Sequence, residues 1–499
     1  MPKAISFPAP LVLLMLVTIL AALSTWFLPA GQYNKLSVSG QSFLVTAPNA
    51  EIKLPFTQNT LDSLQLKISI QKFIDGDIRK PVALPGTYQK INRNSQGPLQ
   101  ILQAPIKGIY DSVDIIMFIL IIGSFMFIFN ETGAMLKGIS YLSYIMKGRE
   151  PLLIAVLVFT FAFLRSSYGM EEEALVFYPI LVPLFIAAGY DLLVPLAIIF
   201  GGTSVGGLAG FSNPFSVIIA SNAAGINWMD GLYSRLVLFV LATSYIIWYI
   251  LRYAAKVKKD PSASLVFKID GIVKPPNGII LSEDNVVKSL DLRTQFLLGM
   301  FFLTFISMII GVVLYNWWTL EMSALFLGSS IFVAMITRMS GKTFIDEFIK
   351  GAGSLLSVAF IVGVARGITI ILNDGHVSDS ILYYSSILAL GLSPVILIIG
   401  LLIFYFVFTF FISSSSGMAV LTMPIMGALA IIVNIPGREV VNSYVYGMNL
   451  MFFVSPTSLI LPSLALVGIS LKVWIKFITP ALIFLTILCA IFLLVGLYY

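Results

Sequence analysis

The chain has 499 residues, of which 58% are hydrophobic and 11% charged, with a mean hydropathy of +0.96. Soluble domains run at about 45–50% apolar and about 25% charged, so a soluble enzyme is excluded. The net charge of +6 is dispersed in small groups, which excludes a phosphate-tracking stripe, and one cysteine (Cys489) with one histidine (His376) excludes a disulfide framework and a Cys/His zinc site.

In chain order, uninterrupted apolar runs predict membrane helices over 8–30, 111–130, 231–255, 294–316, 319–338, 353–373 and 473–498, each near the length of about 20 residues that a bilayer requires. The first has only Lys3 before a long apolar run, which reads as a retained helix rather than a cleaved signal. Residues 134–149 and 376–390 read as interfacial amphipathic helices. Four longer apolar stretches are interrupted by Ser, Gly, Asn or Pro at their middles. Irregular backbone at membrane depth persists only where protein or a wet cavity surrounds it. This predicts re-entrant hairpins over 151–189 and 393–435 and broken helices over 191–226 and 440–470. With an inside N-terminus, Lys137, Lys147, Arg149, Arg252, Lys256, Lys258, Lys259, Arg293, Arg338, Lys342, Lys350, Lys472 and Lys476 all fall inside, and Tyr499 ends outside. The organisation expected is a first helix with a long external loop (1–110), a first repeat (111–255), an inner linker (256–293) and a second repeat (294–499).

The two halves carry matching motifs in the same order. Ile106-Lys107-Gly108 returns as Ile349-Lys350-Gly351, Asn130-Glu131 as Asn373-Asp374, Ser167-Tyr168-Gly169-Met170 as Ser415-Ser416-Gly417-Met418, and Pro214-Phe215-Ser216 as Pro456-Thr457-Ser458. The near-constant spacing predicts a duplication, and the additional span 319–338 inverts the second copy. Inverted repeats with broken helices in corresponding places are the sequence signature of a secondary transporter, which is an all-α polytopic fold. Channels more often assemble selectivity from rings of subunits, and a membrane enzyme would need clustered ligands or a Ser/His pair, so both are remote alternatives.

At each break, half-helix N-termini favour anions and unwound carbonyls favour cations. The candidate site therefore comprises Ser212, Asn213, Pro214 and Ser216 at the first break and Ser455, Pro456, Thr457 and Ser458 at the second. It also takes Arg165, Ser166, Ser167, Gly169, Glu172 and Glu173 at the first hairpin tip, and Ser414, Ser415, Ser416 and Gly417 at the second. The competing reading is that such small residues only let helices pack closely. Glu171, Glu172 and Glu173 are too costly to bury unpaired; one of them holds a proton, a cation or a substrate ammonium, or the group faces water. Arg165 either pairs with one of these glutamates or clamps a substrate carboxylate. Arg366, mid-span, needs a partner, with Glu321 and Asp114 as candidates. The run Gly201–Gly207 lacks the lysine of a phosphate loop and reads as a thinned helix for close packing. The acidic excess at the first tip leans the substrate towards an amino acid, basic ones included, over a dicarboxylate.

The segments GMEEEALVFYPILVPL (169–184), NPFSVIIASNAAGI (213–226), SSSSGMAVLTMPI (413–425), SPTSLILPSLALVGI (455–469) and the opening FPAPLVLLMLVTILAALSTWFLPAGQY (7–33) resemble the YfcC-like transporters. These sit with the DcuC-type C4-dicarboxylate carriers and the arginine/ornithine antiporters in the ion transporter superfamily. That resemblance implies an elevator-type carrier of a dicarboxylate or basic amino acid, a homodimer in a bacterial inner membrane, coupled to H+ or Na+. The superfamily's paired Ser-Asn-Thr motifs are matched approximately by Ser212-Asn213-Pro214 and Ser455-Pro456-Thr457, which places an implied sodium ion near Asn213 and Thr457. No other cofactor is implied.

Overall fold

The computed structural model describes residues 10–499 except 49, 67, 75–77, 79–80, 146–147, 168, 267–288, 316, 318, 390 and 434. Tyr168 and the larger part of the 256–293 linker are therefore outside the described residues. Most of the rest is helical, and seven helices are long and apolar enough to cross a membrane, among them Glu150–Ser167 and Pro394–Phe411.

Helix α1 (Pro10–Phe27) leads into a small unit of strands and short helices. Its short strands β1 (Gly31–Gln32), β2 (Lys35–Ser39), β3 (Ser42–Ala47), β4 (Ala50–Pro55), β5 (Val82–Ala83) and β6 (Gln89–Lys90) alternate with helices α2 (Gln58–Ser63) and α3 (Gln71–Ile74). An antiparallel sheet of order β4-β3-β2-β5 and a separate β1-β6 pair result. Alternation along β2 and β3 turns Leu36, Phe43 and Val45 inward, the period-two signature of a half-buried strand. They close a small core with Leu61, Phe73 and Val82. The segment expected to be an external loop is thus a folded unit, and its last residues form helix α4 (Pro98–Asp111). Helix α4 is mixed polar and apolar, with Pro105 inside, so it offers no apolar run for hydropathy to find.

Next come α5 (Val113–Glu131), α6 (Ala134–Ile145), α7 (Glu150–Ser167) and, after a 3₁₀ turn at Glu172–Phe177, α8 (Tyr178–Ala187). The stretch 191–226 is interrupted twice over: α9 (Leu193–Leu196), a π turn and α10 (Gly202–Leu208) stop before a break at 209–213. A second π turn (Pro214–Ile218) and α11 (Ile219–Ala223) then restart the chain. The glycines of α10 let it lie on α7: at Gly202 a Cβ would stand 3.1 Å from the Val158 carbonyl, and at Gly206 it would collide with that of Ala162. This is the close approach that small residues permit between membrane helices. Helix α12 (Leu232–Lys259) ends in Lys256, Lys258 and Lys259.

The second half contains α13 (Leu292–Tyr315), α14 (Thr319–Thr337), α15 (Gly341–Ser354), α16 (Leu356–Asp374) and α17 (Ser378–Ala389). It continues with α18 (Pro394–Phe411), α19 (Ser415–Ile432), α20 (Gly437–Phe452), α21 (Ile460–Val467) and α22 (Leu471–Gly496). Helices α20 and α21 flank a break at 453–459, and α21 stops at Gly468 in the left-handed region (φ +76°), a conformation glycine adopts without penalty.

Two helix pairs cross reciprocally. Helix α4 packs on α16 where Gly108 meets the backbone of Gly363 and Gly367; α15 packs on α5 where Gly351 meets Gly123 and Ser124. A Cβ on Gly108 or Gly351 would run into backbone atoms, so both crossings require glycine. The second is also closed by the Ser124 hydroxyl donating to the Phe348 carbonyl at 2.8 Å.

Candidate functional site

Helix α7 ends at a tip whose carbonyls would be orphaned, as the last carbonyls of any helix are. The first break satisfies them. Asn213 Nδ2 donates to the Arg165 carbonyl at 3.0 Å, the Ser212 amide to Ser166 O at 3.2 Å, and the Ser212 hydroxyl to Ser167 O at 3.1 Å. In return the Ser166 hydroxyl donates to Ala209 O at 2.8 Å and accepts from the Phe211 amide at 3.1 Å. Asn213 is 2% exposed; its Oδ1 accepts from the amides of Phe215 (2.9 Å) and Ser216 (3.2 Å), capping the restarted helix as asparagine does at an N-terminus. Gly169 turns the tip at φ +91°, and a Cβ there would stand 2.6 Å from the Phe215 ring and 3.0 Å from Asn213 Oδ1. Arg165 is buried; it forms an ion pair with Glu171 and donates to Gly169 O at 3.1 Å. Arg165 thus has a glutamate partner within the tip, one of its two expected readings. Glu173 accepts from the Glu171 amide at 2.9 Å.

The second tip is tied differently. The carbonyls at the end of α18 accept from Thr457 (3.4 Å) at the second break and from Thr369 (3.1 Å) of α16. Tyr444 of α20 donates to Ser415 O at 2.7 Å, and Ser414 accepts from the Gly417 amide at 3.2 Å. Within the second break the Ser455 and Thr457 hydroxyls are 2.6 Å apart. Ser458 donates to Phe452 O and Ser455 O, both at 2.8 Å, and Trp474 donates to Phe453 O at 2.7 Å.

Both tips and the second break open on one cavity of about 360 Å³. Of the residues singled out in the sequence, Gly169, Glu172, Glu173, Ser414, Ser415, Ser416, Thr457 and Ser458 are in its wall. Arg165, Ser166, Ser167, Ser212, Asn213, Pro214, Ser216, Gly417, Ser455 and Pro456 are not; they stand behind it, and the first break reaches the wall through Phe215. The wall also contains Asp111, Ser112 and Thr319, which the sequence reading did not single out, together with Asp114 and Arg366, which it weighed as an ion pair. Arg366 pairs with Asp111, which corrects the expectation of Glu321 or Asp114. Asp114 instead accepts from the Thr319 hydroxyl at 3.2 Å. Asp111 was obscured because it is the last residue of a helix with no hydropathy signature. A charge at the mouth of an apolar span was the available signal.

The cavity wall therefore holds five acidic side chains, those of Asp111, Asp114, Glu171, Glu172 and Glu173, of which Asp111 is paired with Arg366 in the wall and Glu171 with Arg165 outside it. It also receives the N-terminal end of α19 at Ser415 and the turn at 457–459 that leads into α21. Helix N-termini carry about half a positive charge. Such a wall can hold a cationic group at the acidic side and a carboxylate at the helix ends.

The chain is similar across its length to known proteins. The family model described as C4-dicarboxylate anaerobic carrier, DcuC, matches residues 7–498. An uncharacterized protein of Haemophilus influenzae is 36% identical over 496 residues, 99% of this chain and 97% of its own. The Escherichia coli protein named "Putative basic amino acid antiporter YfcC" is 26% identical over 500 residues, covering 94% and 92%. Among solved structures, MtrF of Neisseria gonorrhoeae, described with a class of antimetabolite efflux pumps, aligns over 99% of this chain and 96% of its own at 14% identity and TM-score 0.41. The YdaH transporter of Alcanivorax borkumensis aligns over 98% of each at 12% identity and TM-score 0.42. A family model spanning nearly the whole chain, on a framework of apolar helices, makes this a multi-pass membrane protein of the DcuC family of C4-dicarboxylate anaerobic carriers.

Proposed function

We propose that this protein is an elevator-type secondary transporter, a symporter or antiporter, for a small carboxylate-bearing metabolite, and that an amino acid with a cationic side chain fits better than a C4-dicarboxylate. The observation that carries this reading is the acidity of the cavity wall: of its five acidic side chains, Glu171 is paired with Arg165 and Asp111 with Arg366, which leaves Asp114, Glu172 and Glu173 without an ion-pair partner among the described residues. Two like charges 4 Å apart at an effective dielectric constant of 20 repel by about 4 kcal/mol. A dianion would meet that repulsion at any of Asp114, Glu172 and Glu173 that is ionised, whereas a basic amino acid would place its ammonium there and its carboxylate at the α19 end. The name of the Escherichia coli relative agrees with this choice.

The reciprocal crossings of α4 on α16 and α15 on α5 support reading the halves as inverted repeats, with the helix pairs 150–187 and 394–432 entering from opposite faces. The frame α1, α4, α5 and α13–α17 would then stay while the hairpins and broken helices move. The same reading puts the N-terminus inside, the C-terminus outside, and two copies together in a bacterial inner membrane. For the coupling ion, Asn213 Oδ1 already accepts two amides, which favours a proton on the glutamates over a sodium ion at Asn213 and Thr457.

The second reading, a dicarboxylate carrier, draws on the family description and on the helix ends and Arg366 at the cavity. Competition in proteoliposomes separates the two. Arginine, lysine or ornithine displacing a labelled substrate supports the first; displacement by succinate or fumarate and by none of the amino acids overturns it.

A further inference from the structure

The unit 31–97 touches two groups of helices in different ways. On one side its bonds are polar and directional. The Gly31 amide donates to His376 O at 3.0 Å, the Tyr33 amide to Asp379 at 3.1 Å, and Asn94 to Asp374 O at 2.8 Å. The Gln96 amide donates to Thr25 at 2.9 Å. The Tyr88 ring stacks on Tyr383 at 3.9 Å. These hold the unit to the ends of α1 and α16 and to α17. Elsewhere the contact is apolar: Val420 of α19 belongs to the same buried cluster as Leu36, Val82 and Leu84 of the unit, with Ile219 of α11 packed against that cluster. Strand β5 is the element that rests on α19. Val420 lies five residues past Ser415, so the footing is about 7–8 Å along the helix from the cavity wall at 1.5 Å per residue.

Directional bonds resist sliding, whereas apolar contact is non-directional and re-forms without register. We propose that the described part of 31–97 is a latch: anchored on α1, α16 and α17, it grips the second hairpin through Val420 and must let go each time that hairpin moves. This rests on the elevator reading above, in which α19 and α11 move and α1 and α16 do not. The grip holds the hairpin in the conformation described here, and its release is a gate on the transport cycle.

Two measurements in a Cys489→Ala background test the latch. In purified protein in nanodiscs, Val420→Cys is compared with Leu61→Cys for reaction with a maleimide. Both positions are buried when the unit is docked and folded, at 3% and 0% exposure, but only the first is uncovered by undocking. A rate at least tenfold faster at 420 is expected; equal rates, slow or fast, overturn the proposal, because they mean permanent docking or unfolding of the unit. In proteoliposomes, Val82→Cys with Val420→Cys, bridged by a short reducible bifunctional thiosulfonate, should lose at least tenfold in transport and regain it on reduction. Tyr88→Cys with Tyr383→Cys, bridged the same way on the anchored side, should transport as before. Normal transport by the first bridged protein overturns the latch. If the unbridged parent moves none of the amino acids or dicarboxylates tested, the transporter reading fails, while the 420-to-61 labelling ratio still decides whether the unit lifts.

Discussion

The first hairpin tip and the second occupy matching places in the chain and are built from opposite chemistry. The first is acidic and locked. Its ends are tied into the adjacent break by five hydrogen bonds, and its arginine is spent on Glu171. The second is neutral and rich in hydroxyls. It is held by single bonds to three different elements, one of them Thr369 of α16. The cavity thus has one acidic, tightly bonded tip and one tip where hydroxyls line its wall. On the proposed function, substrate discrimination by charge would belong to the first tip and adaptable contact to the second.

The largest effect should come from unlocking the first tip. Asn213→Ala removes one donated and two accepted bonds at a buried position. Each is worth about 1 kcal/mol net, and more where a buried partner is left unsatisfied. Uptake in proteoliposomes should fall at least a hundredfold, with a lower melting temperature in detergent. Wild-type uptake and melting would mean the two tips are equally dispensable as locks. A smaller change tests the charge asymmetry. Glu172→Gln or Glu173→Gln should weaken a basic amino acid tenfold or more in competition assays while improving succinate, whereas Ser415→Ala or Ser416→Ala should change both by less than about fivefold. Equal losses for the two tips would erase the distinction.

Next is the pair of Asp111 and Arg366. Asp111→Asn frees Arg366 from its partner and makes the cavity less negative, so the preference for cation over dianion should fall about threefold to tenfold; Glu321→Gln, at one of the two partners expected from sequence, should leave it unchanged. The smallest effect is a control remote from both tips. The Thr294 hydroxyl and the Lys137 ammonium hold the Asp291 carboxyl down at about 2, below an ordinary aspartate near 3.9. A carboxyl lowered on folding stabilises the protein above its unfolded pKa and loses that contribution as pH falls through the folded value. The melting temperature of Asp291→Asn should therefore sit slightly below the parent's at pH 5 and converge with it near pH 2, with no change in substrate preference.

Much of the framework was legible in the residues. Apolar runs dictate helices at 231–255, 319–338 and 353–373 because backbone groups in hydrocarbon must pair within their own segment; the structure has helices there. The break at Asn213-Pro214 was legible too, since proline cannot donate and asparagine caps. The reading of Gly201–Gly207 as a packing surface agrees with α10 lying on α7. Other features left no periodic signal. Helix α4 was hidden because its face is mixed, and the fold of 31–97 because its strands are two to six residues long.

What the sequence determined by itself is therefore local: where the chain must be helical, where it must stop, and which few charges lie within apolar surroundings. Tertiary structure alone decided which of those charges meet. It paired Arg366 with Asp111 across 255 residues, turned Asn213 behind the cavity while bringing Asp114 into its wall, and placed Val420 in one buried cluster with a distant β unit. The physical reason is that burial and propensity act over a few residues of chain, whereas pairing of a charge or closure of a cavity depends on which surfaces pack together, a choice made by the whole fold.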